Sequence, residues 1–231
     1  MFLSKFFKRS NKNSEKVVIP SSSKEVLKKN IVKQSSRKGE LGEYKIAVQL
    51  SQFSKEYKVL HDLLIPNTRS KSGYSQIDHV LLSPFGIFVI ETKNFQGTIY
   101  GSANQKQWLV NGKFKFMNPF IQNYGHIESL KSLIDPKYKN SFISLVSFTK
   151  RCTLKTDLGY RNIQSSELIV YDTELTETIN RKEAINKLLQ PEPMLSKEDI
   201  EKCYSQFLKV NVLNKDVREL HIKLIKGSTS N

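Results

Sequence analysis

Gln76-Ile77-Asp78-His79-Val80-Leu81-Leu82, Ser83-Pro84-Phe85-Gly86 and Ile87-Phe88-Val89-Ile90-Glu91-Thr92-Lys93 follow one another without a break. The outer segments are apolar runs of strand length, and the middle one reads as a tight turn. Folded back antiparallel across Pro84-Phe85, the register sets Leu82 opposite Ile87, Val80 opposite Val89 and Asp78 opposite Glu91. Side chains alternate faces along a strand, so Asp78, Glu91 and Lys93 are predicted on one side. Directly opposed carboxylates repel, and sheets avoid that pairing. A divalent cation between them removes the penalty. A strand end emerging into solvent would explain Glu91-Thr92-Lys93 alone, but not the independent alignment of Asp78. The hairpin therefore reads as a metal site with a lysine beside it.

Outward from the hairpin, residues 40–53 carry Glu43, Ile46, Ala47 and Leu50 at helical spacing, with Glu43 on the buried stripe. Residues 57–65 read as a strand ended by Pro66-Asn67. Residues 97–116 alternate and turn at Asn111-Gly112, a second hairpin. Asn118-Pro119 gives an N-cap with proline at the first helical position, opening a helix to about Ile134. Residues 142–148 and 168–171 read as buried strands. Beyond 173 the pattern is helical: Ser196 with Asp199 resembles a capping box opening a helix to about Val210, and a last segment covers 217–225. This order predicts an α/β fold, a mixed β-sheet flanked by helices with a helical C-terminal extension. No Gly-rich phosphate loop follows any strand, so nucleotide hydrolysis has no support.

The 231 residues, 38% hydrophobic, suffice for one moderate domain with appendages. A formal net charge of +15 favours a polyanionic partner, nucleic acid before an anionic membrane; a lysine-rich composition is the plainer explanation. Residues 1–36 read as a basic, flexible arm. Eleven Lys and Arg within residues 1–38 oppose only Glu15 and Glu25, and Lys5, Lys8, Arg9, Lys28, Lys29, Arg37 and Lys38 are the candidate phosphate contacts. Residues 37–150 would form the central domain, and 151–231 its completing strands and helical end. As a helix, the first residues would set Phe2, Leu3, Phe6 and Phe7 on one side, a weak membrane contact; a frayed basic tail is preferred. Cys152 and Cys203 fit no zinc spacing and no disulfide framework. No run reaches transmembrane length, and a cytoplasmic location is expected. The Lys- and Asn-rich composition is consistent with an AT-rich bacterial genome or plasmid.

Gly39-Glu40-Leu41-Gly42-Glu43, Gln76-Ile77-Asp78-His79, Gly86-Ile87-Phe88-Val89-Ile90-Glu91-Thr92-Lys93-Asn94 and Asn118-Pro119-Phe120-Ile121-Gln122-Asn123-Tyr124-Gly125-His126 occur in that order. Together they resemble the NERD (nuclease-related) domain of the restriction-endonuclease-like PD-(D/E)XK superfamily, over roughly residues 37–150. The resemblance implies a restriction-endonuclease-like core. It also implies Asp78 and Glu91 as metal-binding carboxylates, Lys93 as the residue that orients the attacking water and steadies phosphate charge, and Glu43 as the helix glutamate joining the site. Gln122 matches the polar residue of the second core helix. Ile77 stands where the superfamily name has proline, as the NERD pattern does.

Chemistry agrees with that assignment. Hard carboxylate oxygens suit Mg²⁺ or Mn²⁺, and a fixed lysine charge suits an anionic transition state. His126, four residues past Gln122, is a candidate for phosphate contact or a core hydrogen bond. His79 alternates away from Asp78 and reads as structural; Trp108, Tyr100 and Phe114 read as core before base-stacking residues. The leading expectation is a metal-dependent nuclease acting on DNA. The alternatives are a non-catalytic nucleic-acid-binding or processing accessory on the same fold, and a membrane-peripheral protein.

Overall fold

The computed structural model describes residues 39–228, with side chains to residue 225. The nominated contacts Lys5, Lys8, Arg9, Lys28, Lys29, Arg37 and Lys38, and the aromatic N-terminus, lie outside the described residues.

Nine strands form two sheets among the described residues: β1 (Lys58–Pro66), β2 (Tyr74–Ser83), β3 (Gly86–Lys93), β4 (Gly97–Gly101), β5 (Gln107–Val110), β6 (Phe114–Met117), β7 (Phe142–Phe148), β8 (Cys152–Thr156) and β9 (Glu167–Tyr171). The first sheet has the order β1-β2-β3-β7-β9, the second β6-β5-β4-β8. The sequence reading expected one mixed sheet. β3 and β7 are parallel neighbours in the first sheet, and each continues into a parallel neighbour of the second, β4 and β8. The step is tied by the Thr149 amide donating to the Lys93 carbonyl at 3.1 Å. Lys93 is thus the last residue before the chain changes sheets.

Helices cover both faces of the first sheet: α1 (residues 39–50), α2 (Pro119–Lys131), α3 (Leu175–Leu189), α4 (Lys197–Val210) and α5 (Lys215–Ser228). Ile46 and Leu50 of α1 pack with Leu175 and Ile179 beneath Leu81, Phe88 and Ile90. Ile127 and Leu130 of α2 pack with Ile200 and Phe207 of α4 over Val80, Leu82, Ile87 and Val89. The two-residue alternation of the hairpin explains this division, since each strand is apolar on both faces. Leu60 and Leu63 share that second cluster, as do Ile77 and Val80, three residues apart rather than two. Alternation therefore breaks at Asp62, which is left-handed at φ 49°, and at Asp78 beside it.

The second sheet folds over Trp108, which is fully buried and donates from Nε1 to the Ser102 carbonyl at 3.1 Å. Gly101 is required there, because a Cβ would lie 2.1 Å from the indole. Trp108 is core, as the sequence favoured, while Tyr100 and Phe114 are exposed.

Candidate active site

Asn118 caps α2 by accepting from the Phe120 amide at 3.0 Å, and Pro119 opens the helix. One turn in, fully buried Asn123 donates to the Val89 carbonyl at 2.8 Å and to Ser144 Oγ at 2.9 Å. These bonds pin α2 to β3 and β7. Gln122 then reaches the end of β3, donating from Nε2 to Glu91 Oε1 at 2.8 Å. Lys93 Nζ donates to the same Glu91 oxygen at 2.6 Å and to Gln122 Oε1 at 3.0 Å. His126 Nε2 lies 3.5 Å from both Gln122 Nε2 and Glu91 Oε2. His126 is buried in this cluster and is not a surface group.

The β2–β3 ladder ends at His79 opposite Ile90. Asp78 and Glu91 stand one step beyond, where Asp78 Oδ2 accepts from the Thr92 amide at 2.7 Å. Glu43 enters from α1. Its neighbour Gly42 allows a close approach, since a Cβ there would meet Asn94 Cβ at 3.2 Å and Thr92 Cγ2 at 3.3 Å. The structure thus gathers Glu43, Asp78, Glu91, Lys93, Gln122 and His126 around the end of β3.

Burial and the charges of Glu91 and Glu43 push the Asp78 carboxyl well above its ordinary value. Burial would raise Glu91 too, but Lys93 and His126 outweigh it and hold that carboxyl at about 2. Burial works to lower Lys93; Glu91, Asp78 and Glu43 reverse this and raise it. Burial, then the charges of Asp62 and Glu91, raises Glu43. The cluster holds more negative charge than Lys93 balances, the condition that favours a bound cation.

The donors fit a hard divalent ion. Glu91 Oε2 and Thr92 Oγ1 are buried and make no close hydrogen bond, the His126 ring lying 3.5 Å from Glu91 Oε2. Such an atom ordinarily has a partner, an ion included. Among the described residues no three His, Cys, Asp or Glu side chains converge into a cage. Two carboxylates suit Mg²⁺, which keeps several waters and takes substrate oxygens.

Two partners that no local sequence pattern signals adjoin the site. Asp62, opposite Asp78 by the register of β1 on β2, is gripped by Arg218 of α5. Arg218 donates to Asp62 Oδ2 at 2.7 Å, the Asp62 carbonyl at 2.8 Å, the Val212 carbonyl at 2.8 Å and Asn211 Oδ1 at 3.1 Å. Arg218→Met is expected to lower stability by about 1–3 kcal/mol in urea denaturation at neutral pH, through acceptors left unpaired. An unchanged midpoint would show the clamp to be idle.

His79 stays off the site, as expected: it is buried, with Nδ1 2.8 Å from His61 Nδ1. Burial, then His61, lowers its pKa to about 3, so it is neutral. Cys152 and Cys203 are free, buried thiols, each pushed by burial to about 11. No described helix is long and apolar enough to cross a membrane.

A family model described as NERD, nuclease-related domain, matches residues 38–149, a span that includes Glu43, Asp62, Asp78, Glu91, Lys93 and Gln122 but not Arg218. An uncharacterized protein of Bacillus anthracis, pXO1-01, is 32% identical over 214 residues, covering 90% of this chain and 91% of its own length. A solved structure of a protein of unknown function, AF1548, aligns at TM-score 0.36 and 8% identity over 83% of this chain and 100% of its own.

Proposed function

The chain belongs to the NERD, nuclease-related domain, family, and from that premise we propose that it is a metal-dependent nuclease hydrolysing DNA phosphodiester bonds. One observation carries the proposal: a buried Glu91 with one oxygen held closely by Lys93 and Gln122 and the other facing only the His126 ring at 3.5 Å, next to a second, destabilised carboxylate at Asp78. A purely structural ion pair would satisfy both oxygens.

Asp78 and Glu91 would hold Mg²⁺ or Mn²⁺, which when bound supplies Lewis acidity to a phosphoryl oxygen and to water. Lys93, charged throughout the neutral range, places a donor beside the position where phosphate charge grows. Gln122 fixes the Lys93 ammonium in direction by accepting from it. Glu43, its carboxyl raised by burial and by Asp62 and Glu91, would hold or pass a proton at the water's side of the site. The apolar packing of α1 and α2 on either side of the sheet keeps these groups from splaying.

The test is cleavage of supercoiled, linear and single-stranded DNA with Mg²⁺, with Mn²⁺ and with EDTA. Cleavage in either metal and none in EDTA is expected. Cleavage that persists in EDTA would end the metal assignment, and none under any condition would end the nuclease proposal.

A further inference from the structure

The second sheet packs Ile99, Trp108 and Val110 inward and leaves its other face open. Across that face runs one row in register: Lys155 on β8 is paired with Tyr100 on β4, Tyr100 with Leu109 on β5, and Leu109 with Lys115 on β6. Tyr100 is 39% exposed, and the Lys155 ammonium sits 5.8 Å from its ring centroid. Lys115 and Lys155 are exposed. Residues 95–117 and 150–156, which supply all four strands, carry six Lys and Arg and no Asp or Glu. A solvated sheet face ordinarily pairs opposite charges across strands, and here none is available. The row thus presents an aromatic and an aliphatic surface between two unneutralised cations, about 14 Å apart across three strand spacings.

The second sheet is joined to the site along the chain. β4 starts at Gly97, four residues after Lys93, and α2, which carries Gln122, starts directly after β6. Arg151, between β7 and β8, donates to Asn94 Oδ1 at 2.6 Å, next to Lys93.

We propose that this face binds single-stranded nucleic acid, with unpaired bases stacked on Tyr100 and Leu109 and phosphates held by Lys115 and Lys155. Resting on the nuclease reading, it assigns that site a single-stranded or frayed end of its substrate. A duplex keeps its base faces inside its own stack and offers this row only phosphates; an unpaired strand offers both.

The test is fluorescence anisotropy of the full chain in EDTA, where no cleavage occurs, with a labelled single-stranded oligonucleotide and its duplex. Tyr100→Ala is expected to weaken single-strand binding about tenfold or more and duplex binding far less, while Tyr100→Phe retains it. Lys115→Gln with Lys155→Gln should flatten the slope of log affinity against log salt by about 1.4, two phosphate contacts on a single strand. Thermal melts of each variant check folding; none of these side chains is in the core. Single-strand affinity unchanged by Tyr100→Ala in a folded variant overturns the proposal. So does an equal loss on duplex and single strand, or a wild-type chain that binds neither. Binding that follows the expected pattern in a chain that cuts no DNA with Mg²⁺ or Mn²⁺ would sustain this surface and remove the nuclease reading alone.

Discussion

Asp78→Asn is expected to abolish divalent-ion-dependent cleavage, by about 10³-fold or more, and at the same time to raise the melting temperature of the protein in EDTA. The two effects have one cause. Burial and the neighbouring Glu91 and Glu43 raise the Asp78 carboxyl in the folded state. A carboxyl raised on folding carries no penalty below its unfolded value, near 3.8, where both states are protonated. As pH rises above that value the unfolded state ionises first, and the folded protein loses stability until its own carboxyl titrates. Asparagine removes that penalty and keeps an oxygen for the Thr92 amide. The gain in melting temperature should be absent near pH 3 and grow toward neutral pH. An equal gain at pH 3 and pH 7 would locate it elsewhere, and cleavage within tenfold of wild type would remove Asp78 from the site.

Glu91→Ala should also abolish cleavage, with the opposite effect on stability: a loss of about 3–5 kcal/mol at neutral pH, because Lys93 is left largely buried without its counter-ion. Glu91 is depressed to about 2 on folding, from an ordinary 4.5. Its stabilisation is therefore fully present above about 4.5 and lost as pH falls toward 2. The difference between wild type and variant should be largest in neutral urea titrations and shrink through that acid window. Glu91→Ala as stable as wild type at pH 7 would mean that Lys93 finds another partner, and the ion pair would then not be what depresses Glu91.

The hairpin of β2 and β3 was legible because its apolar runs are long and its turn is unambiguous; α2 and α4 announce themselves through Asn118-Pro119 and the Ser196–Asp199 capping box, which forms. The second sheet was only half legible. Its residues 97–116 read as one hairpin, but a turn closed by the Gln105 amide on the Ser102 carbonyl divides them into three strands of four or five residues. The Asn111 side chain also serves β4 from outside its own turn, accepting from the Thr98 amide at 2.8 Å. β8 escaped notice because only Cys152 and Leu154 are apolar in it. Its pairing with β4 is set by the parallel step from β7, which lies in tertiary structure. At the site, Glu43, Asp78, Glu91, Lys93 and Gln122 were nominated from sequence and are neighbours in space. The Asp62–Arg218 grip was out of reach: its partners are 156 residues apart and neither sits in a local pattern. The break in alternation at Asp78 was equally hidden, since it depends on the left-handed Asp62 across the ladder.

That grip also governs the order in which the chain can finish folding. β1 is an edge strand, and what closes its outer side is the stretch before α5: the Leu64 amide donates to Asn211 Oδ1 at 3.0 Å, and the Val212 amide to the Leu64 carbonyl at 2.8 Å. Ribosomes add about 5–20 residues per second, so the β1 edge waits about 7–30 s for its cover. Through that interval an apolar strand with free backbone groups is open to any other nascent chain. Half-buried Lys58 and exposed His61 and Asp62 line this margin of β1, and charged groups on an edge strand hinder such pairing until Asn211 and Arg218 arrive.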